Sequence, residues 1–349
     1  MFLRAIATAV LLAAPVATRA DSVEDFYKSH PIQMIVGYGA GGGYDVYARI
    51  FARHLGAHMP GNPTVIVQNM PGAGSLRAAN YIYSVAPKDG ATIGAIDRQV
   101  PFSALLGTAG QVPFDPRKVT WIGALSSYAN DAFLLYVRRD APAKTLEDMR
   151  RPGGPETTIG GSADGSTDND VINLLRIAAG VNLKLISGYP DGNSISLALE
   201  RGEVHARMVG LSSAQSTRPE WLRPDSIVHP MVQFGRATRH PDFPDVPTAR
   251  ELAKDERSRL MIEIAEMPYK LSRPYIAPPG IPPERTAALQ NALMEVAKDP
   301  RFLEEAAKLK IDISPAHGSE AATMIERISA APPETLEALK KLFGEQSQR

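Results

Sequence analysis

Apolar positions along this chain switch repeatedly between two periods. Ile32, Met34 and Val36 recur at every second position, as on a strand, and Tyr47, Ile50, Phe51 and Leu55 then follow the i, i+3, i+4, i+8 spacing of a helix face. The switch predicts strands at 32–37, 64–68 and 92–96, helices at about 44–57 and 74–84, and a strand at 121–126 leading out of a first lobe. A second run follows, with strands at 133–137, 157–159, 183–186 and 205–209. Its helices begin near Leu146, carry Val171, Leu174, Leu175 and Ala178, and run through Leu197 to a stop at Gly202. Strand 227–233 returns toward the first lobe, and helices at 283–298, 300–309 and 317–349, the last interrupted by Pro332-Pro333, complete the chain on the outside.

Alternating strands and helices define an α/β chain with largely parallel sheets. The expected division is a leader at 1–20, one lobe from 21–124 plus 235–349, and a second lobe at 125–234. The chain then crosses between lobes near 122–127 and 228–235, and a double tie favours a hinge over a loose tether.

Composition narrows the partners. Lys+Arg and Asp+Glu both number 38 in 349 residues, so no overall field recruits nucleic acid or an anionic membrane. Arg4, the apolar run 5–16 and the small residues Thr18 and Ala20 form a secretory signal, with cleavage expected after Ala20. That apolar core falls short of the roughly 20 residues of a membrane span. With no cysteine, the chain has no thiol to oxidise after export, and a bacterial periplasm fits.

The chemistry concentrates where strand 32–37 meets its helix, at Gly37-Tyr38-Gly39-Ala40-Gly41-Gly42-Gly43-Tyr44-Asp45. Glycines let a ligand approach the backbone, and the first turn of the next helix offers N–H groups without intrahelical partners, so an anion is the natural guest. Gly37, Gly39 and Gly42 also spell the G-x-G-x-x-G dinucleotide fingerprint. No Asp or Glu occurs between Asp45 and Asp89 to hold a ribose, so that use fails. Asp45 reads as a first-turn residue favoured by the helix dipole. Gly72-Ala73-Gly74 and the stretch ending in Asp97-Arg98 bring two further strand ends to the same rim. His54 and His58 lack a third ligand, so no metal is expected there. Asp164, Ser166, Asp168 and Asp170 alternate like a calcium loop without its glycine and closing glutamate, and read instead as a capped helix start. The position two after Ser162 is Asp164, which excludes a nucleophile elbow.

Several segments in order resemble the substrate-binding proteins of tripartite tricarboxylate transporters, the Bug or TctC-type receptors. They are Pro31 through Asp45, Asn69-Met70-Pro71-Gly72-Ala73-Gly74, Lys88-Asp89-Gly90, Ile159-Gly160-Gly161-Ser162, Arg201-Gly202-Glu203-Val204, Phe243 through Thr248, and Ala277 through Pro282. The resemblance implies a type II-like two-lobed periplasmic binding protein, monomeric and without a cofactor, that closes on a small carboxylate and delivers it to membrane permease subunits. It implies a site built from Tyr38, Gly39, Ala40, Gly41, Gly42, Gly43, Asp45, Gly72, Ala73, Gly74 and Asp97 in the first lobe. The second lobe would add Gly161, Ser162, Ser166, Thr167, Tyr189, Asp191 and Gly210. Where the family commonly has a Tyr-Lys-Gly type turn, this chain has Tyr189-Pro190-Asp191-Gly192. That change favours one carboxylate on lobe one with a hydroxyl, amino or neutral group on lobe two. A ligand sensor for a membrane kinase is an alternative on the same fold, and an exported enzyme is a further one, although no reacting pair of side chains can be assembled.

Overall fold

The computed structural model describes residues 22–108, 113–163 and 166–344; the expected leader and Asp164 lie outside the described residues. The first lobe begins with α1 (Val23–Ser29), β1 (Ile32–Val36), α2 (Gly43–His58), β2 (Val65–Asn69), α3 (Leu76–Ser84), β3 (Thr92–Ala95), α4 (Gln99–Leu106) and β4 (Thr120–Ser126). β1 pairs in parallel with both β2 and β3, Ile32 opposite Val65 and Met34 opposite Ile93. Their C-terminal ends therefore share one rim.

The chain then builds the second sheet with β5 (Phe133–Arg138), α5 (Leu146–Arg150), β6 (Thr157–Gly160), α6 (Thr167–Ala178), β7 (Leu183–Ile186), α7 (Gly192–Arg201), β8 (Ala206–Gly210), α8 (Leu211–Thr217), β9 (Val228–Phe234) and α9 (Glu256–Glu266). Its strand order is β7-β6-β8-β5-β9. Local chemistry sets the helix ends. Ser166 caps α6, the Asp191 side chain accepts from the Ser194 N–H at 2.8 Å to start α7, and Gly202 ends α7 at φ 77°.

Returning to the first sheet, the chain adds β10 (Ser272–Ala277), α10 (Pro283–Val296), α11 (Pro300–Lys308), β11 (Ala316–His317), α12 (Gly318–Ser329) and α13 (Pro333–Gly344), giving the order β11-β4-β10-β3-β1-β2. β10 enters antiparallel between β3 and β4, so the sheet is mixed rather than largely parallel. This sets Tyr275 opposite Ala95 and the first residues of β10 beside the chain that follows β3, with the Ile96 N–H donating to the Pro274 carbonyl at 3.3 Å. Two sheets with helices on their faces thus form two α/β lobes.

One buried cluster spans the expected boundary between the lobes. Ala249, Leu252, Met261, Ile262 and Ala265 are buried in one cluster with Val171, Ile172 and Leu175 of α6, so the stretch through α9 stays on the second sheet. Leu339 of α13 joins that cluster too, as do Phe102 and Leu106 of α4. An amphipathic helix records how wide its apolar stripe is, not which sheet covers it. On the outside of the first lobe, His54 pairs with Glu305 and His58 with Asp299, each at 2.9 Å, which ties α2 to α11. Among the described residues no helix is long and apolar enough to cross a membrane.

Candidate functional site

Between the lobes lies a cavity of about 90 Å³, walled by the β1–α2 loop, the corner between β3 and α4 and the start of β10 on one side, and by the loops after β6 and β7 with strand β8 on the other. Gly41 turns the first loop at φ 83°. Asp45, 2 % exposed, braces this loop: its carboxylate accepts from the Gly41 N–H at 2.9 Å, from Arg49 Nε at 2.8 Å and from Asn69 Nδ2 at 2.8 Å. Burial opposes ionisation there, yet the Arg49, Gly41 and Asn69 hydrogen bonds hold the carboxyl below its usual range.

Asp97 joins the two lobes. It accepts from Tyr38 OH at 2.7 Å, from the Gln99 N–H at 2.7 Å and, across the cleft, from Thr167 Oγ1 at 2.6 Å. The Tyr38 ring in turn stacks on Tyr44 with centroids 4.9 Å apart.

Beside Asp97 sit two arginines that share one acceptor. Arg98 Nη1 donates to Ser272 Oγ at 2.9 Å, Arg273 Nη1 donates to the same oxygen at 3.2 Å, and Arg273 Nη2 reaches Ser213 Oγ of the other lobe at 2.8 Å. Aromatic faces hold the guanidiniums: Arg98 lies 4.3 Å from the Tyr269 centroid, and Arg273 lies 4.7 Å from both Tyr44 and Tyr47. Both side chains are buried, and among the described residues neither makes an ion pair with a carboxylate. Arg273 also adopts φ 62°, a conformation that L residues keep only where packing over-determines it.

The facing wall carries Arg207, the second residue of β8, opposite Tyr136 of β5 and Gly160 of β6. It is 9 % exposed, and its Nε is buried without a hydrogen-bond partner. Burial pulls its pKa down to about 10, against the opposing pull of Asp168. Asp168, from the first turn of α6, lines the same cavity, and burial pushes its carboxyl up to about 6 in spite of Arg207. Ser162 Oγ is a further buried group there without a partner.

Of the positions expected from sequence, Tyr38, Gly39, Gly41, Gly42, Gly43 and Asp97 line the cavity from lobe one, and Ser162, Thr167, Asp191 and Gly210 from lobe two. The others stand apart from it. Ala40 faces solvent, Asp45 braces the loop, and Gly72 lies against Arg77. Ala73 belongs to a short 3-10 turn whose Gly74 packs on Ser166, so these residues close the seam between lobes. Tyr189 packs beside the core that contains Tyr136 and Trp221. Gly161 is a packing residue: a Cβ there would lie 2.1 Å from Asn169 Oδ1 and 2.6 Å from Leu185 Cδ1. Gly161→Ala is expected to lower stability by about 1–3 kcal/mol, read as a fall in Tm, while leaving the cavity wall itself in place.

Sequence reasoning passed over Arg98, Arg207 and Arg273 as site residues. A signal existed in two of the three: β8 and β10 are buried at every position, and a charged residue inside such a strand needs a partner.

Two α/β lobes facing each other across a cavity lined from both sides are the architecture of a solute-binding protein. The chain belongs to the receptors of the tripartite tricarboxylate transporter family, whose family model matches residues 48–333. A relative from Cupriavidus necator, described as a UPF0065 protein in the gbd 5′ region, is 29% identical over 323 residues, covering 88% of this chain and 86% of its own. The periplasmic binding protein BugD superposes with a TM-score of 0.68 at 20% identity, covering 90% of this chain and 98% of its own. MatC from Rhodopseudomonas palustris, solved with bound malate, gives 0.65 at 19% identity over 90% of this chain and 98% of its own. Receptors of this family are periplasmic and bind solutes rather than transform them.

Proposed function

We propose that the protein captures a small organic carboxylate between its lobes, after removal of its leader near Ala20, and presents it as a monomer to the membrane permease subunits of a tripartite tricarboxylate-type transporter. The observation that carries this reading is the pair Arg98 and Arg273, two buried guanidiniums without a carboxylate partner. Arg273 stands at the N-terminus of α2, where Gly43, its first residue, comes so close that an added Cβ would lie 3.3 Å from Arg273 Nη2, and Arg98 shares its Ser272 acceptor. Buried cations and the orphan N–H groups of a helix start both favour an anion, and planar guanidinium suits carboxylate in particular. Ser213, hydrogen-bonded to Arg273, and Thr167, hydrogen-bonded to Asp97, couple lobe two to that seat, so closure and binding support each other. MatC with malate is a relative of the same fold that holds such a ligand.

Titration calorimetry and thermal shift across a panel of small carboxylic acids test the reading. One acid is expected to bind in a one-to-one ratio, to be recovered unchanged, and to stabilise the protein by about 2.7 kcal/mol at a hundredfold excess over Kd. A panel in which no acid moves the Tm rejects it.

A further inference from the structure

Lobe two presents to the cavity two opposite charges that do not satisfy each other. Arg207 has its Nε buried without a partner, the Asp168 carboxylate makes no hydrogen bond among the described residues, and the two side chains form no ion pair there although each perturbs the other electrostatically. We propose that this wall reads the head group of an amino acid, the ligand's ammonium seated on Asp168 and its carboxylate on Arg207, so that the captured acid carries an amine. The inference rests on the receptor reading above.

The other acids of the cavity are already engaged. All three donors around Asp97 point at its two oxygens, and Asp191 caps α7. Among the described residues of the lining, Asp168 is the carboxylate with neither oxygen hydrogen-bonded, whereas Asp191 keeps only its Oδ2 unengaged. Among the described residues of the lining, Arg98, Arg207 and Arg273 are offset by Asp97, Asp168 and Asp191. A plain diacid would bring two negative charges into that balanced space between the lobes and set one of them near Asp168. An ammonium on the same carbon skeleton removes one unit of that excess and places it where the negative charge waits. A hydroxyl would satisfy hydrogen bonding at Asp168 but not its charge.

The seat is also sensitive to pH. Among the described residues, those facing Asp168 are Arg207 from β8, Asp97 and Arg98 from the corner between β3 and α4, Tyr38 from the β1–α2 loop and Tyr269 ahead of β10, and no histidine lines the cavity. Burial lifts the carboxyl to about 6, so acidification below that point neutralises the seat. Amine-bearing ligands then lose their partner, while plain diacids lose a repulsion.

Calorimetry on the mature chain with aspartate, succinate and malate, and with glutamate and glutarate as the longer pair, tests this at about pH 7.5 and about pH 5. The amino acid of each set is expected to bind at least about tenfold more tightly than its plain or hydroxylated analogue at the higher pH. That margin should shrink at the lower pH. Asp168→Asn, checked for an unchanged fold by circular dichroism, should invert the preference, weakening the amino ligand and tightening the plain diacid. Equal or tighter binding of succinate, malate or glutarate by the wild-type chain, or uniform weakening of all ligands in Asp168→Asn, overturns the inference while the receptor reading stands. If no carboxylate binds, with or without an amine, both fall.

Discussion

Replacing Arg273 with methionine is expected to cut affinity for the captured acid by about a hundredfold or more, as truncating one partner of a desolvated charge pair costs roughly 2–5 kcal/mol. The size follows from where the guanidinium sits. It is buried between Tyr44 and Tyr47, it donates across the cleft to Ser213, and it adjoins the N-terminus of α2. Methionine keeps the apolar stem but leaves the anion with Arg98 and the helix start, without the guanidinium that spans both lobes. Arg273→Lys restores the charge without the planar fork, and should recover only part of the loss. Because residue 273 has φ 62° whichever of these side chains it carries, backbone strain is common to the variants and cancels in the Lys-to-Met comparison. Calorimetry on the three proteins decides the matter: a methionine variant within about threefold of wild type would place the anion elsewhere in the cleft.

That Arg273 came from the structure and the glycine loop from the sequence reflects the range over which each is determined. A turn that needs φ 83° at Gly41, a cap that needs Ser166, and a stop that needs Gly202 are settled by a few neighbouring residues, and such positions are legible. The alternation of periods revealed most strands and helices for the same reason. Strand order is a different kind of fact. β10 reaches the binding rim only because it inserts antiparallel between β3 and β4, a pairing between segments more than a hundred residues apart, and no local pattern announces it. The side to which α9 docks is equally nonlocal. Charge bookkeeping along the chain misled in a related way: Asp164, Asp168, Asp170 and Asp191 make the second lobe look acidic near the clamp, but Arg207 enters the same wall from β8. The Pro-Gly-Ala-Gly turn shows the converse, a loop correctly brought to the rim whose Gly74 then packs against Ser166 instead of lining the cavity.

Asp97 separates the two jobs that one carboxylate can do here, holding hydrogen bonds and carrying charge. Asp97→Ala is expected to destabilise the protein by about 2–4 kcal/mol, because Tyr38 OH, Thr167 Oγ1 and the Gln99 N–H all lose their acceptor in a buried place. The loss of the Thr167 bond should also loosen the contact between lobes, so ligand affinity falls together with Tm. Asp97→Asn is a gentler change. Its remaining oxygen can still accept from Thr167 and Gln99, while its amide can donate to Tyr38, whose hydroxyl accepts as readily as it donates. Stability is therefore expected to stay within about 1 kcal/mol of wild type. What changes is the charge of the cavity, which gains one positive unit beside Arg98. Plain diacids, the ligands most penalised by a balanced lining, should then bind more tightly than they do to the wild type, and amino acids should gain less. Thermal unfolding and calorimetry on both variants measure the two effects separately. An asparagine variant as unstable as the alanine variant would mean that the negative charge itself, set against Arg98 and Arg273, holds the lobes together.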